Sequence, residues 1–395
     1  MTASGRALLV VEPTFLDEHV GVLRVLAHYH GRLTAQGMAV DFAVPIGGRL
    51  MLLDEPSTTR AVERLSSPRG GTAVPTWTSA GGWAAGSPPV ATPGPVRPVE
   101  PLSFTGPCRS SSYAVSVITN PWLCDRPMPT ERFTHGIVYD LVPNLLLAHA
   151  LDLGAPYLGF GFAGAHHRGY AFYADNVDEV MCISESTLQD FLTFYGDQPM
   201  RTVVDIPFTP DDTSPVNDRW DAARGTTAQL LLVNALDLRK NILGLQAALS
   251  RVALDHTVHL SVVGRERMPL EQAERVLGAL ADAGVTIDWY RGASDSRLME
   301  LYATTDGLLF PSLYEGLGLP ILEAQSAGLP TVSSDSSSCR EINLNRSLLV
   351  DPHDVDQLGL AITRVIERDT GVLAGAGLRR EQRAWLGPRS AWTGR

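Results

Sequence analysis

The sequence predicts an α/β protein built from two doubly wound, mainly parallel sheets, and three observations lead to this prediction. Short apolar blocks typical of buried strands alternate with helical periodicities over most of the chain. A length of 395 residues fits two domains better than one. A polar stretch at 209–227 separates two such alternating units and is the best candidate for an interdomain linker. We therefore expect a first domain at 1–208 and a second at 228–395.

The first domain opens with a strand at 7–12, a helix at 22–36 and a strand at 38–44, which is the pattern of a βαβ unit. Gly21, near the start of the helix, would let a ligand approach the first loop, although a plain turn explains this glycine equally well. A tract at 57–112 is rich in Pro, Gly, Ser and Thr and is predicted to be an irregular part of the first domain.

Strand and helix patterns return after this tract. We expect strands at 113–118, 136–139 and 179–183, and helices at 145–151, 170–177 and 188–195. Tyr139 and Asp140 fall at the carboxyl end of a predicted strand, where open α/β sheets bind their ligands. They are therefore candidate binding residues.

The second domain repeats the alternation. Its predicted strands lie at 229–233, 260–263, 285–289, 306–310, 330–334 and 348–350. Helices are expected at 243–251, from 294 onward, from Pro320 to a cap at Gly328, and at 357–368. Gly264 follows the second of these strands directly, so it too marks a candidate ligand loop.

Composition excludes several classes of function. The net charge of −11 argues against general nucleic-acid binding, because phosphate backbones require a basic surface. The four cysteines form no C-x-x-C pair, so neither a zinc site nor a disulfide framework is predicted. No apolar run could span a bilayer and no secretory signal is visible, which predicts a cytoplasmic protein. The oligomeric state stays open.

Lys240 is the only lysine in the chain, whereas arginines provide the other basic side chains. It follows Arg239 at the head of a predicted helix, where two cations oppose the helix dipole unless an anion lies between them. This arrangement predicts a phosphate site. A surface lysine with no function is the alternative at this point.

The run at 310–324 has a glycine-rich loop between a predicted strand and a predicted helix, and it contains Glu315 and Glu323. Gly316 and Gly318 let the backbone approach a ligand, and the free N–H groups of the helix start attract an anion such as a diphosphate. Because carboxylates repel phosphate, the two glutamates would bind sugar or ribose hydroxyls. An ordinary βα turn with two solvated glutamates explains the pattern equally well.

Several of these stretches together resemble one family, the retaining nucleotide-sugar glycosyltransferases of family 4. The run at 310–324 is similar to the E-x(7)-E signature of that family, and Arg239-Lys240-Asn241 resembles its phosphate-binding turn. The stretches at 178–185 and 350–352 also match. The resemblance implies the GT-B fold, in which two Rossmann-like doubly wound domains face each other across a cleft.

The resemblance also implies a function. A hexose or deoxyhexose, with a mannose-like sugar as first choice, would move from a nucleotide-diphosphate donor to a saccharide, lipid-linked or small-molecule acceptor. A lipid-linked acceptor would bring the protein into peripheral contact with the inner face of the membrane. No metal or other cofactor is implied, because cations of the protein neutralise the diphosphate.

The same resemblance assigns roles to residues. Glu315, Arg239 and Lys240 would be catalytic: the two cations would neutralise the diphosphate, and Glu315 would bind the transferred sugar. Glu323 would hold the ribose. Backbone N–H groups would bind sugar and phosphate oxygens from Gly316, Leu317, Gly318 and Leu319.

One departure from the family pattern leaves alternatives open. Tyr139 stands where the family commonly has a histidine that contacts the donor sugar, and His135, His166 and His167 are nearby substitutes in the sequence. A non-catalytic sugar-nucleotide-binding or scaffold protein of the same fold is therefore the second hypothesis. A Rossmann oxidoreductase fits less well, because no G-x-G-x-x-G opens the first helix.

Overall fold

The computed structural model describes residues 5–13, 20–67, 74–84, 101–145, 160–196, 201–210, 216–217, 219–220, 225–234 and 236–386. Within these ranges the strands form two eight-stranded sheets, and most neighbouring strands run parallel. The α/β class and the two doubly wound units predicted from the sequence are confirmed.

The elements follow in chain order. The strands are β1 (Arg6–Val10), β2 (Ala39–Ile46), β3 (Arg49–Leu53), β4 (Trp77–Thr78), β5 (Gly82–Trp83), β6 (Phe104–Cys108), β7 (Val115–Ile118), β8 (Phe133–Val138), β9 (Val177–Cys182), β10 (Arg201–Val204), β11 (Thr227–Val233), β12 (Thr257–Val263), β13 (Thr286–Tyr290), β14 (Gly307–Phe310), β15 (Thr331–Ser334) and β16 (Leu349–Val350).

The helices lie between these strands. They are α1 (Val20–Ala35), α2 (Glu55–Ser66), α3 (Val142–Leu145), α4 (Phe160–Asn176), α5 (Glu185–Tyr195), α6 (Ile242–Val252), α7 (Leu270–Asp282), α8 (Asp295–Thr304), α9 (Leu319–Ala327), α10 (Ser337–Ile342), α11 (Val355–Ile366) and α12 (Gly375–Leu386).

The first sheet has the strand order β10-β9-β8-β7-β1-β2-β3-β6. Its central strands are parallel, whereas β3 and β6 add an antiparallel edge. The predicted cap of α5 is confirmed, because the Ser184 hydroxyl accepts a hydrogen bond from the N–H of Thr187 at 3.0 Å. A short helix is found at Val142–Leu145, and residues 146–151 of the predicted helix at 145–151 lie outside the described residues.

The second sheet has the order β16-β15-β14-β11-β12-β13-β4-β5. Its last two strands come from the tract at 57–112, which was predicted to be an irregular part of the first domain. They form a short hairpin that pairs antiparallel with β13, and the N–H of Thr76 donates to the carbonyl of Trp289 at 2.8 Å. The described parts of this tract are thus partly regular, and this hairpin belongs to the second sheet.

The predicted linker at 209–227 is also more ordered than its composition suggests. Asn217 is fully buried, and its side chain donates to the carbonyls of Tyr302 at 2.9 Å and Thr305 at 2.8 Å. Residue 227 already belongs to β11. The described end of this stretch therefore packs against the second domain.

One buried apolar cluster contains residues of both domains. Leu9 and Ile137 of the first sheet and Leu231 and Phe310 of the second sheet belong to it. All four cysteines are free thiols, as the sequence predicts. Among the described residues, no helix has the length and apolar character needed to cross a membrane.

Candidate active site

The two cations of the second domain lie on a short 3₁₀ turn, Leu238–Lys240, between β11 and α6. Asp237 caps this turn, because its carboxylate accepts a hydrogen bond from the N–H of Arg239 at 2.8 Å. Asn241 then adopts a left-handed conformation with φ of 59°, and its amide donates to the carbonyl of Pro352 at 2.6 Å. The protein itself therefore fixes the course of the backbone that carries the two cations.

Glu315 lies directly against both cations. The ammonium of Lys240 donates to Oε1 of Glu315, and Nη1 of Arg239 is 3.2 Å from Oε2. The same nitrogen of Arg239 donates to the carbonyl of Tyr314 at 2.6 Å. Lys240 also lies 4.6 Å from the centre of the Phe310 ring, a distance typical of cation–π contacts. The structure thus brings together the three residues predicted to be catalytic.

These three charges are buried and shift one another's pKa values. The side chains of Arg239, Lys240 and Glu315 are 12%, 10% and 9% exposed. Burial raises the pKa of Glu315, but Arg239 and Lys240 outweigh this effect and lower the pKa to about 2. Burial lowers the pKa of Lys240, and Glu315 opposes that change. The Glu315 carboxylate is therefore ionised at neutral pH and has no proton to donate to a leaving group.

A run of serines after β15 holds the loop around Glu315. The N–H of Glu315 donates to the hydroxyl of Ser337 at 3.0 Å, and the Ser338 hydroxyl lies 3.0 Å from the carbonyl of Glu315. Ser338 also reaches the carbonyl of Leu317 at 2.9 Å. Sequence reasoning missed these serines. The serine-rich run at 333–338 could have indicated them, because clustered hydroxyls after a buried strand can form hydrogen bonds with the backbone of a neighbouring loop.

The loop at 316–319 offers unpaired backbone donors at the start of α9. Gly318 has φ of 90° and precedes the first helical residue, Leu319, while Leu317 is buried. Within the described part of the chain, the N–H groups of residues 316–319 donate to no protein group. Free N–H groups at a helix N-terminus attract anions. The loop has the geometry that the sequence predicts for it.

Gly316 lies where the two domains touch. A side chain here would clash with the carbonyl of Tyr139, and its Cβ would be 2.8 Å from Cβ of Asp140. The carbonyl of Gly316 accepts hydrogen bonds from the hydroxyls of Ser184 at 2.6 Å and Thr187 at 3.1 Å. The end of β8 therefore lies directly against the glycine loop, and close interdomain packing explains this glycine.

Glu323 lies one turn into α9, on the same side as the domain interface. Its Oε2 accepts a hydrogen bond from the buried hydroxyl of Tyr302 at 2.8 Å. Its Oε1 forms an ion pair with Arg24, which lies on α1 of the first domain. A cavity of about 510 Å³ opens beside this ion pair and is lined by Arg24, His28, Arg32, Phe208, Leu319 and Glu323, among others.

The remaining predicted glycines lie apart from this cluster. Gly21 is the second residue of α1 and is exposed, and the loop before it at 14–19 lies outside the described residues. Gly264 ends β12 with φ of 118°, and a Cβ there would be 2.5 Å from Oδ1 of Asn234. Close approach of the ends of β11 and β12 explains this second glycine. The ligand roles of both stay predictions.

Tyr139 and Asp140 occupy the carboxyl end of β8 as predicted, and their polar groups differ in hydrogen bonding. The Tyr139 hydroxyl is buried and has no hydrogen-bond partner within the described residues. Asp140 accepts a hydrogen bond from the N–H of Val142 at 3.0 Å. Trp122 packs against Tyr139 with ring centroids 6.2 Å apart. A role for Tyr139 in sugar binding stays a prediction.

The three histidines considered as substitutes have different surroundings. His135 is buried 3.5 Å from Glu179, and burial lowers its pKa to about 4. His167 stacks on Tyr195 with ring centroids 5.7 Å apart. His166 packs on Trp122, which in turn contacts Tyr139, so it is the one that shares an aromatic cluster with Tyr139.

The sequence predicts no metal centre. Among the described residues, no group of three or more His, Cys, Asp or Glu side chains could hold a metal ion. The metal-free reaction expected from the sequence stays a prediction.

Comparison with known proteins adds independent information. The model of the family "Glycosyl transferases group 1" matches residues 217–380. The chain is 32% identical over 168 residues to O-antigen chain mannosyltransferase B of Escherichia coli, which covers 42% of this chain and 43% of the relative. It is 27% identical over 212 residues to an MMP alpha-(1->4)-mannosyltransferase of Mycolicibacterium hassiacum, and this match covers 53% of this chain and 49% of the relative. The chain spans less than half the length of these two relatives.

Solved structures show the same architecture. Sucrose-phosphate synthase from Thermosynechococcus elongatus matches with a TM-score of 0.59 and 17% identity, over 98% of this chain and 95% of that one. TarM matches with a TM-score of 0.54 and 15% identity, over 71% of this chain and 53% of the TarM chain. At such low identities these likenesses show the fold alone, and they confirm the predicted GT-B fold. The match to the family Glycosyl transferases group 1, at residues 217–380, falls mainly on the second sheet and its helices.

Proposed function

We propose that the protein is a retaining glycosyltransferase that transfers a hexose from a nucleotide-diphosphate sugar. The observation that carries this proposal is the convergence of Arg239, Lys240 and Glu315 beside the open N-terminus of α9. Arg239 and Lys240 place two cations beside Glu315, while the carboxylate of Asp237 caps the turn that carries them. An anion with adjacent hydroxyls, such as a sugar diphosphate, matches this combination of groups.

The diphosphate would bind where protein donors remain available. An ammonium has three N–H donors, and Lys240 uses one of them on Glu315. Arg239 lies beside it and directs one nitrogen to the carbonyl of Tyr314 and to Glu315. The remaining donors of Lys240 and the N–H groups of residues 316–319 can together surround phosphate oxygens.

The same groups would assist the chemistry. When the bond between sugar and diphosphate breaks, negative charge develops on the leaving phosphate, and Arg239, Lys240 and the α9 dipole stabilise it. Glu315 is ionised, so it accepts hydrogen bonds from sugar hydroxyls and favours the positive charge that develops on the ring. The acceptor would attack from the face of the leaving group, and the diphosphate would take its proton.

The identity of the sugar and the acceptor is part of the proposal. The similarity to mannosyltransferases from two organisms favours mannose over other hexoses or a deoxyhexose. A saccharide, a lipid-linked saccharide or a small molecule would be the acceptor. We place the reaction in the cytoplasm, in peripheral contact with the membrane if the acceptor is lipid-linked, and expect it to need no metal.

A panel of UDP-, GDP- and dTDP-sugars tests the proposal. A ligand that binds only the folded state must raise the Tm, so we expect one donor to do so. That donor should then be consumed in the presence of EDTA, with the anomeric configuration retained in the product. Lack of a Tm shift with every donor would contradict the proposal. Binding without transfer or hydrolysis would favour the alternative of a non-catalytic sugar-nucleotide-binding or scaffold protein.

A further inference from the structure

Both carboxylate oxygens of Glu323 are held by protein groups. The hydroxyl of Tyr302 donates to Oε2 at 2.8 Å, and the guanidinium of Arg24 pairs with Oε1. The Glu323 side chain is 11% exposed, so these contacts lie in a site largely shielded from water. Charge-assisted hydrogen bonds in such surroundings fix the orientation of a carboxylate.

Arg24 reaches Glu323 from the other domain. It lies in the second turn of α1 and forms an ion pair with Glu323 of α9. Asp295 at the start of α8 lies 3.7 Å from the same guanidinium, so the second domain presents two carboxylates to Arg24.

The remaining acceptor capacity of Glu323 suits a particular ligand group. An ionised carboxylate has about four lone-pair sites, two on each oxygen. Arg24 occupies one site on Oε1 and Tyr302 occupies one site on Oε2. About one site is thus left on each oxygen. A ribose presents two neighbouring hydroxyls, at C2′ and C3′, which can donate to one oxygen each.

We propose that Arg24 is a positioning residue that orients Glu323 to bind both ribose hydroxyls, so that the protein selects ribonucleotides over 2′-deoxyribonucleotides. The inference rests on the proposed function, because it takes Glu323 to be the ribose-binding residue. It adds a first-domain residue to nucleotide recognition by the second domain. Ribose binding is thereby linked to the relative position of the two domains.

Loss of Arg24 has a defined consequence in this arrangement. Tyr302 alone holds Glu323 through one oxygen, and the other oxygen is then free to rotate away from the second hydroxyl. A hydrogen bond to a charged group contributes enough to account for about a 10-fold preference or more for the ligand that makes it. We expect most of that preference to disappear when Arg24 is removed.

The experiment compares dissociation constants of UDP, GDP and their 2′-deoxy forms by calorimetry. The proteins are the wild type, Arg24→Ala, Arg24→Gln, Arg24→Lys and Arg132→Ala. The last is the matched control, since Arg132 belongs to the first domain and pairs with Asp178 on the exposed surface. Circular dichroism and Tm establish that each variant is folded, and Arg24→Gln replaces Arg24→Ala if the latter does not fold.

We expect the wild type to prefer the ribonucleotide by about 10-fold or more, and the neutral variants to lose most of this preference. Arg24→Lys should restore part of it, and Arg132→Ala should behave as the wild type. A ribose preference that survives in both neutral variants overturns this inference and leaves the proposed function intact. A wild type that binds the ribose and 2′-deoxyribose forms equally, or binds none of the four nucleotides, also overturns this inference. The proposed function falls as well only if every donor of the nucleotide-sugar panel leaves the Tm unchanged.

Discussion

Replacing Glu315 by glutamine removes the single negative charge between two buried cations. In the wild type this carboxylate accepts a hydrogen bond from Lys240 and lies 3.2 Å from Arg239. Glutamine keeps the shape and one acceptor oxygen but not the charge. The two cations then lose their counter-ion inside a site that is about nine-tenths buried. We expect the variant to be less stable at neutral pH.

The magnitude follows from the pKa of Glu315. It falls from the ordinary 4.5 to about 2, and each pH unit corresponds to about 1.4 kcal/mol, so the ionised carboxylate stabilises the fold by about 3 kcal/mol. Because the folded-state pKa is lowered, this stabilisation is fully present above pH 4.5 and is lost as the pH falls toward 2. The difference between wild type and Glu315→Gln should therefore narrow in acid.

Urea unfolding at neutral pH and near pH 3 measures this difference. The matched control is Glu300→Gln, which removes an exposed carboxylate paired with Arg297 and should change the free energy of unfolding by less than about 1 kcal/mol. Nucleoside diphosphate should stabilise Glu315→Gln at least as much as the wild type, because its phosphates can replace the missing charge. A stability difference that is equally large in acid, or a loss of diphosphate binding, would refute the reasoning.

Three further predictions concern the loop and its surroundings. Gly316→Ala forces a methyl group against Tyr139, so the free energy of unfolding should fall by about 1–3 kcal/mol. The control Gly278→Ala has open space around the added methyl group and should raise the free energy of unfolding slightly. Equal effects of the two substitutions would contradict the close packing at Gly316. Ser338→Ala removes a buried hydroxyl that holds the Glu315 loop and should cost about 1–2 kcal/mol in urea unfolding. The exposed serine control, Ser347→Ala, should change the free energy of unfolding little. EDTA treatment should leave the rate of sugar transfer unchanged, and a loss restored by a divalent cation would contradict the metal-free proposal.

The features that the sequence predicts correctly are local ones, such as helix bounds and helix caps. The predicted helix at 243–251 is found as Ile242–Val252, and the predicted caps Gly328 and Ser184 end or begin their helices. Such signals depend on apolar periodicity and on caps within a few residues. Local turn chemistry likewise places Arg239 and Lys240 at the head of α6.

Contacts between distant parts of the chain were not predictable in this way. The hairpin β4–β5 joins the second sheet through pairing with β13, more than 200 residues later, and its two-residue strands have no periodic pattern. The ion pair of Arg24 with Glu323 joins two domains that the sequence treats separately. Tyr139 was predicted as a candidate residue for donor binding, and the packing that buries its hydroxyl was not predictable. Tertiary packing determines each of these contacts, and no local sequence pattern predicts them.

The central claim is that Arg239 and Lys240 bind the diphosphate of a sugar donor. Calorimetric titration of the wild type and of Lys240→Met with the nucleotide-sugar that raises the Tm tests it directly. Since hydrogen bonds to charged groups contribute about 1.5–3 kcal/mol, the Kd should rise by about 10-fold or more in the variant. An unchanged Kd in a folded Lys240→Met protein would contradict the claim.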